Sequence, residues 1–214
     1  MTRLFVLVEG ETEETFVNDL LAPHLYRASY LDVSARLMGG QRQKSRRGGI
    51  RPWSEARRGI ENQLRQDAGL VVTTMVDYYG LPTRAPGAWP GRAEANRLPF
   101  PQRAAHVENA IRTDVATLMG NSFNPVRFVP YVMMHEFEAM LFSDCEKFAQ
   151  AIYHPELADR FQEIRDGFNT PEEINDSPET APSKRIEMLA PDYQKPVDGT
   201  AAASEIGLTV IGQE

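Results

Sequence analysis

The apolar segments of the chain predict four strands. Leu4 to Val8 is a continuous apolar run, which is typical of a strand covered on both faces. Leu31 to Met38 alternates apolar and polar residues, as a half-buried strand does. Leu70 to Val76 is rich in β-branched residues and ends at Asp77, and Val126 to Met134 is a fourth candidate.

The segments between these strands have apolar residues at helical spacing. After Gly10, Thr12 can cap a helix that ends before Pro23. A second helix is predicted from Ser54 to about Asp67, and a third from about Gln102 to Met119. Strands that alternate with helices predict an α/β fold, here a doubly wound, mostly parallel central sheet with helices on both faces.

Two regions do not follow this alternation. Residues 78–101 are interrupted by prolines and glycines, and we predict a long surface loop without regular elements. Beyond the fourth strand, apolar spacing predicts short helices broken by prolines. The predicted organisation is an α/β core at 1–142 and a C-terminal helical region at 143–214 that packs on it.

Composition narrows the class of protein. A single cysteine, Cys145, excludes an intramolecular disulfide and a zinc site of paired cysteines, and we expect this thiol to be a small buried side chain. The chain has no apolar run of the roughly 18 residues that span a bilayer, so we predict a cytoplasmic protein with no membrane partner. The sequence does not indicate the oligomeric state.

The charge is unevenly distributed. The net charge is −7, yet the segment from Arg36 to Arg65 has nine basic and two acidic residues, a local charge of +7. A polyanion such as DNA or RNA could bind there, and a solvated loop and helix face is the alternative. The candidate nucleic-acid-binding residues are Arg42, Lys44, Arg46, Arg47 and Arg51.

Acidic residues follow three of the predicted strands. Glu9, Asp77 and Glu136 lie at the carboxyl ends, where ligands bind in doubly wound sheets, and Glu13 lies one helical turn beyond Glu9. Clustered carboxylates repel unless a cation intervenes, and oxygen ligands suit Mg²⁺ or Mn²⁺. Each acid taken alone could instead be a helix-capping, turn or solvated residue.

Four motifs in chain order carry a resemblance to a known family. They are Val8-Glu9-Gly10-Glu11-Thr12-Glu13, Val76-Asp77-Tyr78-Tyr79-Gly80-Leu81-Pro82, His135-Glu136-Phe137-Glu138-Ala139-Met140-Leu141-Phe142 and Ser177-Pro178-Glu179-Thr180-Ala181-Pro182-Ser183-Lys184-Arg185. Together they resemble an uncharacterised bacterial family of Toprim-like proteins, a domain of unknown function that is distantly similar to the OLD-family nucleases.

The resemblance implies roles for the first two motifs. Glu9 matches the first Toprim glutamate, a metal ligand or general acid and base, and Glu13 is an extra acidic residue one turn on. Asp77 matches the first aspartate of the Toprim Asp-x-Asp motif. Tyr79 departs from this pattern, because it occupies the second acidic position.

The resemblance also implies roles for the later motifs. Glu136 and Glu138 are the expected substitutes for the missing metal ligand. Lys184 matches a basic residue that neutralises charge on the transferred phosphate.

These observations predict a metal-dependent nuclease that uses Mg or Mn to cleave phosphodiester bonds of DNA or RNA, with a role in anti-phage defence. The alternative is a non-catalytic Toprim-like module that binds nucleic acid or a partner ATPase encoded nearby. The chain has no Gly-x-x-x-x-Gly-Lys-Ser/Thr phosphate loop of its own. A small-molecule phosphohydrolase is a third alternative.

Overall fold

The fold is described from a computed structural model, which covers residues 2–38, 49–134, 136–174 and 180–213. The chain divides into two units, Met1–Met133 and Met134–Glu214. The predicted division at residue 142 into separate domains stays a prediction.

Unit Met1–Met133 contains a parallel sheet. Its strands are β1 (Thr2–Val8), β2 (Tyr30–Leu37), β3 (Leu70–Asp77), β4 (Phe128–Val129) and β5 (Val132–Met133). The order is β2-β1-β3-β4, with β5 also beside β3, and each of these pairings is parallel. The run Phe5 to Val8 is buried, as expected for a central strand. The prediction of an α/β fold with an open, mostly parallel sheet is confirmed.

The strand order places helices on both faces. The helices of this unit are α1 (Glu11–Phe16), a π-helical turn (Val17–Leu21), α2 (Ala22–Arg27), α3 (Trp53–Gln66), α4 (Arg92–Ala95) and α5 (Phe100–Met119). The connection from β1 to β2 runs in one direction across the sheet, and those from β2 to β3 and from β3 to β4 run in the other. Because such crossovers are right-handed, α1 and α2 cover one face and α3 and α5 cover the opposite face.

The predicted fourth strand, Val126 to Met134, was too long. Pro130 separates β4 from β5, because proline has no backbone N–H for a sheet hydrogen bond. The Thr74 side chain bridges the interruption: its hydroxyl donates to the Tyr131 carbonyl at 2.9 Å and accepts from the Tyr131 N–H at 3.1 Å. A side chain therefore replaces ladder bonds at the break.

Three local predictions were wrong. Thr12 does not cap the first helix, because that helix begins at Glu11 with Gly10 as the N-cap residue. Ser54 lies inside α3, which begins at Trp53 after Pro52. The predicted loop at 78–101 contains a 3₁₀ turn at Tyr78–Gly80 and the short helix α4, which long-range contacts stabilise despite the prolines.

Unit Met134–Glu214 is helical. A 3₁₀ segment (Phe137–Ser143) is followed by α6 (Cys145–Ala151), α7 (Ala158–Arg165), α8 (Pro182–Leu189), α9 (Lys195–Ile206) and α10 (Leu208–Ile211), with single 3₁₀ turns at Pro155–Leu157 and Pro171–Glu173. Its core includes Phe142, Phe148 and Phe161, and the rings of Phe148 and Phe161 stack with centroids 4.5 Å apart. Among the helices that the structure describes, none is both long and apolar enough to cross a membrane.

Cys145 lies in the core of this unit. The residue is 4% exposed, and burial raises the pKa of its thiol to about 12. The thiol is therefore protonated at neutral pH and is a poor nucleophile, as its apolar role predicts.

Candidate metal centre

The carboxyl ends of β1 and β3 form the topological switch point of the sheet. The crossover from β1 leads to β2 on one side, and the crossover from β2 returns past β1 to β3 on the other. The loops that leave β1 and β3 consequently diverge and open a crevice, which is where doubly wound sheets bind ligands. Glu9 follows β1 and Asp77 ends β3, so both lie at this point of the sheet.

The Glu9 carboxylate lies against the end of β3. Its Oε2 accepts a hydrogen bond from the Asp77 backbone N–H at 3.3 Å. A Cβ atom added at Gly80 would lie 3.6 Å from both Glu9 carboxylate oxygens, so the absence of a side chain there leaves room beside the carboxylate. The Asp77 Oδ1 atom is shielded from bulk solvent. Two carboxylate residues on neighbouring strands thus approach each other at the switch point.

Glu13 turns back toward the start of α1. The residue is 8% exposed, and its Oε2 would lie 2.7 Å from a Cβ atom at Gly10. The backbone of Gly10 is extended, with φ −133°, so glycine provides space for the Glu13 carboxylate and not an unusual conformation. Glu9 follows β1 and Glu13 lies in the first turn of α1, so both residues belong to the β1–α1 turn. The prediction that their carboxylates face one point stays a prediction.

The carboxylates of Glu9 and Asp77 suit a magnesium ion that is held partly by water and substrate, and not one enclosed by protein ligands alone. Over the described ranges, no group of three or more His, Cys, Asp or Glu side chains is arranged to hold a metal ion. A cage made wholly of protein ligands is therefore not formed there. Mg²⁺ is commonly held by one or two carboxylates, with water and substrate phosphates completing its shell, and Glu9 with Asp77 suits that arrangement.

Tyr79 lies in the 3₁₀ turn that follows Asp77 and is 47% exposed. The turn is held by Arg92, a 5% exposed residue of α4. Arg92 Nε donates to the Tyr78 carbonyl at 2.7 Å, its Nη1 donates to Asn96 Oδ1, and its guanidinium lies 3.8 Å from the centroid of the Tyr78 ring. Burial lowers the pKa of Arg92 and raises that of Tyr78.

Arg92 is a residue that the sequence interpretation missed. It lies within the segment predicted to be an irregular loop, and its main acceptor is a carbonyl 14 positions earlier in the chain. The i,i+4 pair of Arg92 and Asn96 was a local signal for α4. Arg92 positions the residues that follow Asp77.

Unit Met134–Glu214 contains a second acidic cluster. Glu136 Oε2 accepts a hydrogen bond from the Ser183 backbone N–H at 3.1 Å, at the first turn of α8. Lys184, the next residue, is 52% exposed by its side chain and pairs with Glu187, with Nζ and Oε2 2.5 Å apart. The first turn of α8 thus brings Glu136 and the backbone of the predicted catalytic lysine into one neighbourhood.

Lys195 joins the two glutamates of this cluster. Its Nζ lies 3.2 Å from Glu138 Oε2 and 3.7 Å from Glu136 Oε1. Glu138 is 1% exposed, and burial raises its pKa, whereas the positive charge of Lys195 opposes that rise. Burial also raises the pKa of the neighbouring Tyr193, and the negative charge of Glu138 adds to that rise. Sequence spacing gave no indication of Lys195, which is 57 positions from Glu138.

Several predicted residues cannot be compared with the structure. Arg42, Lys44, Arg46, Arg47 and His135 lie outside the described residues. Arg51 is described, and its backbone carbonyl accepts a hydrogen bond from the Trp89 indole at 2.9 Å. The assignments of Glu9, Glu13, Asp77, Glu136 and Glu138 as metal ligands and of Lys184 as a catalytic residue stay predictions.

Comparison with known proteins identifies the family. Residues 8–214 match the family described as "Domain of unknown function (DUF4276)". The chain belongs to this family. The predicted membership of an uncharacterised domain family is confirmed, and the candidate residues from Glu9 to Lys195 all lie within the range that matches DUF4276.

A comparison with curated proteins gives no significant match. Among solved structures, this DUF4276 chain is similar to the C-terminal region of the OLD protein of Xanthomonas campestris pv. campestris, with a TM-score of 0.44 and 14% sequence identity. The match covers 98% of this chain and 88% of that one. At this TM-score, the likeness carries no functional conclusion.

Proposed function

We propose that this DUF4276 protein is a Mg²⁺- or Mn²⁺-dependent nuclease of the Toprim-like kind, which cleaves phosphodiester bonds of DNA or RNA. The observation that carries the proposal is the approach of Glu9 to the end of β3 at the switch point of the sheet. That position is where a parallel sheet of this order binds its ligand. Glycines at positions 10 and 80 leave space around the acidic side chains there.

The residues of this site would have different roles. Glu9 and Asp77 would hold the metal ion, and Glu13 would orient it or accept a hydrogen bond from one of its waters. When bound, such an ion supplies Lewis-acid stabilisation of phosphate charge and lowers the pKa of a bound water. Arg92 would keep the chain after Asp77 in place, and with it the Asp77 backbone N–H that donates to Glu9.

The test is cleavage of plasmid DNA and of a structured RNA by the purified chain with Mg²⁺ and then Mn²⁺. Glu9→Gln and Asp77→Asn should each abolish metal-stimulated cleavage, because each replaces a charged ligand by a neutral one of the same shape. Glu94→Gln, at an exposed position of α4, should cleave as the wild type does. Intact substrates with every metal tried, or cleavage unchanged in Glu9→Gln, would contradict the proposal.

The predicted roles of the second cluster need their own variants. If Lys184 neutralises phosphate charge, Lys184→Met should lower the cleavage rate at least about 100-fold, the size of effect seen when one stabilising donor is removed. Lys147→Met, at a half-exposed position of α6, is the matched control. Glu136→Gln and Glu138→Gln would lower metal affinity only if those residues are ligands.

A non-catalytic module is the second candidate, and Tyr79 is the observation that favours it. An aromatic residue occupies the position where the resembled family has a second acidic ligand. Such a module would bind nucleic acid or a partner ATPase without cleaving, and the defence role and cytoplasmic location would be unchanged. Because Tyr79 is half exposed, Tyr79→Asp should fold. Cleavage that appears only in Tyr79→Asp would establish that the natural site is degenerate.

A further inference from the structure

A cavity of about 530 Å³ lies in unit Met1–Met133, between the end of β1 and the first turns of α3. Its floor is apolar, formed by Leu7 and Met38, and its walls include Arg51, Ser54, Arg58 and Asn62. The volume is within the range of about 300–1,000 Å³ that is typical of small-ligand pockets. None of the candidate metal ligands lines it.

The backbone that carries Arg51 is held in place without a ligand. The Arg51 carbonyl accepts a hydrogen bond from the Trp89 indole at 2.9 Å, and the Trp89 ring packs on the Trp53 ring with centroids 4.9 Å apart. Arg51 Nε is shielded from solvent and meets no acceptor among the residues that the structure describes. A buried donor without an acceptor is unfavourable, and a bound anion would supply the missing acceptor.

A second arginine faces the same space. Arg58 lies on α3 at an exposed position of the cavity wall, so its charge is available to a ligand. Glu55 also lines the cavity and carries the opposite charge, which leaves a net charge of +1 from the three side chains. Two guanidinium groups beside an apolar floor are suited to a ligand with a phosphate and a flat, less polar part. A guanidinium group can donate two parallel hydrogen bonds to the oxygens of one phosphate.

We infer that this cavity binds one phosphorylated nucleotide, with the phosphate at Arg51 and Arg58 and the base on Leu7 and Met38. The inference deepens the proposed nuclease function, because Leu7 lies two residues before Glu9, roughly 7 Å along the strand. The bound nucleotide would belong to a nucleic-acid strand and would be the neighbour of the nucleotide at which that strand is cleaved. A free mononucleotide offers the same chemistry and is distinguished by the test.

The test is fluorescence anisotropy of a labelled 12-nucleotide single-stranded DNA with the full chain in EDTA. Chelation keeps the carboxylate site out of the measurement, so binding and cleavage can fail independently. Arg51→Met with Arg58→Met should weaken binding at least about 10-fold and should flatten the slope of log K against log salt by about 0.7, the contribution of one phosphate contact on a single strand. Arg65→Met, which removes a positive charge of α3 outside the cavity, is the control and should bind as the wild type does.

A second variant blocks the cavity without changing its charge. A Cβ atom added at Gly59 would meet no atom within 4 Å, so Gly59→Met places a side chain in open space. Because glycine in the middle of a helix is destabilising, replacing it favours the helix, and this variant should fold. Gly59→Met should lose about 10-fold in affinity for the strand.

The arms of the test separate the sources of the phosphate. If unlabelled deoxyadenosine monophosphate displaces the strand only at millimolar concentration, the ligand is a strand; displacement at micromolar concentration assigns the cavity to a free nucleotide. Both results support a nucleotide site. Equal strand binding by the wild type, the double arginine variant and Gly59→Met overturns it, as does a strand that does not bind at all.

Discussion

Replacing Arg92 by methionine tests whether this buried arginine holds the turn that follows Asp77. The change removes two hydrogen bonds, to the Tyr78 carbonyl and to Asn96, and a cation–π contact at 3.8 Å. Hydrogen bonds to a charged group are worth about 1.5–3 kcal/mol each, and a desolvated cation–π contact about 2 kcal/mol. Burial lowers the pKa of Arg92, so removing the charge recovers part of that sum. We expect a net loss of about 2–4 kcal/mol.

The assay is urea unfolding of the full chain followed by tryptophan fluorescence. The chain has two tryptophans, and both Trp53 and Trp89 are buried in unit Met1–Met133, so the signal reports on that unit. The midpoint should fall without a change in m-value, which would show a loss of stability and not of compactness. Arg97→Met, at an exposed position, is the control. A loss below about 1 kcal/mol for Arg92→Met, or an equal loss for Arg97→Met, would refute the role of Arg92.

Three further predictions concern other parts of the chain. Thr74→Val should cost about 1–3 kcal/mol, because it removes both side-chain bonds to the Tyr131 backbone, and urea unfolding measures it. Burial raises the pKa of Glu138 above its ordinary 4.5, so the native state binds the carboxyl proton more tightly than the unfolded state does. The unfolding free energy should therefore fall as pH rises from 4.5 through the native pKa. Glu138→Gln should abolish this slope. Cys145 should react with thiol reagents only after unfolding, because its pKa is about 12 and it is 4% exposed.

Each of these predictions has its own control. Thr73→Val removes a single bond of 3.3 Å from a less buried threonine and should cost less than Thr74→Val. Glu187→Gln, an exposed carboxylate paired with Lys184, should leave the pH slope of stability unchanged. Equal costs at the two threonines would contradict the role of the Thr74 side chain. A flat pH profile of wild-type stability would contradict the raised pKa of Glu138, and rapid labelling of Cys145 in native buffer would contradict its burial.

The parts of the fold that local sequence determines were predicted well. The unbroken apolar run of Leu4 to Val8 and the β-branched run of Leu70 to Val76 gave two central strands, because both faces of a central strand must be apolar. The ends of these two strands were therefore also predicted, and they place Glu9 and Asp77 at the same edge of the sheet. Alternation of strands and helices was enough to predict the α/β class.

The contacts that distant residues make were not predictable. Arg92 depends on a carbonyl 14 positions away, and Lys195 meets Glu138 across 57 positions, so neither pairing leaves a periodic trace. Thr74, on β3, bonds the Tyr131 backbone next to Pro130, where the predicted fourth strand is interrupted. This contact comes from a distant part of the chain, so the fourth strand was predicted without an interruption. These pairings arise from tertiary packing, and a single sequence carries no signal for them.

The most direct test of the central proposal is anomalous scattering from Mn²⁺ in crystals of the chain. A manganese peak within about 2.0–2.6 Å of carboxylate oxygens of Glu9 and Asp77, and absent from crystals of Asp77→Asn, is the predicted result. It would also show whether Glu13 is a ligand and how many ions bind. Crystals of wild-type protein soaked in Mn²⁺ with no peak at these two residues would contradict a metal centre at the switch point of the sheet.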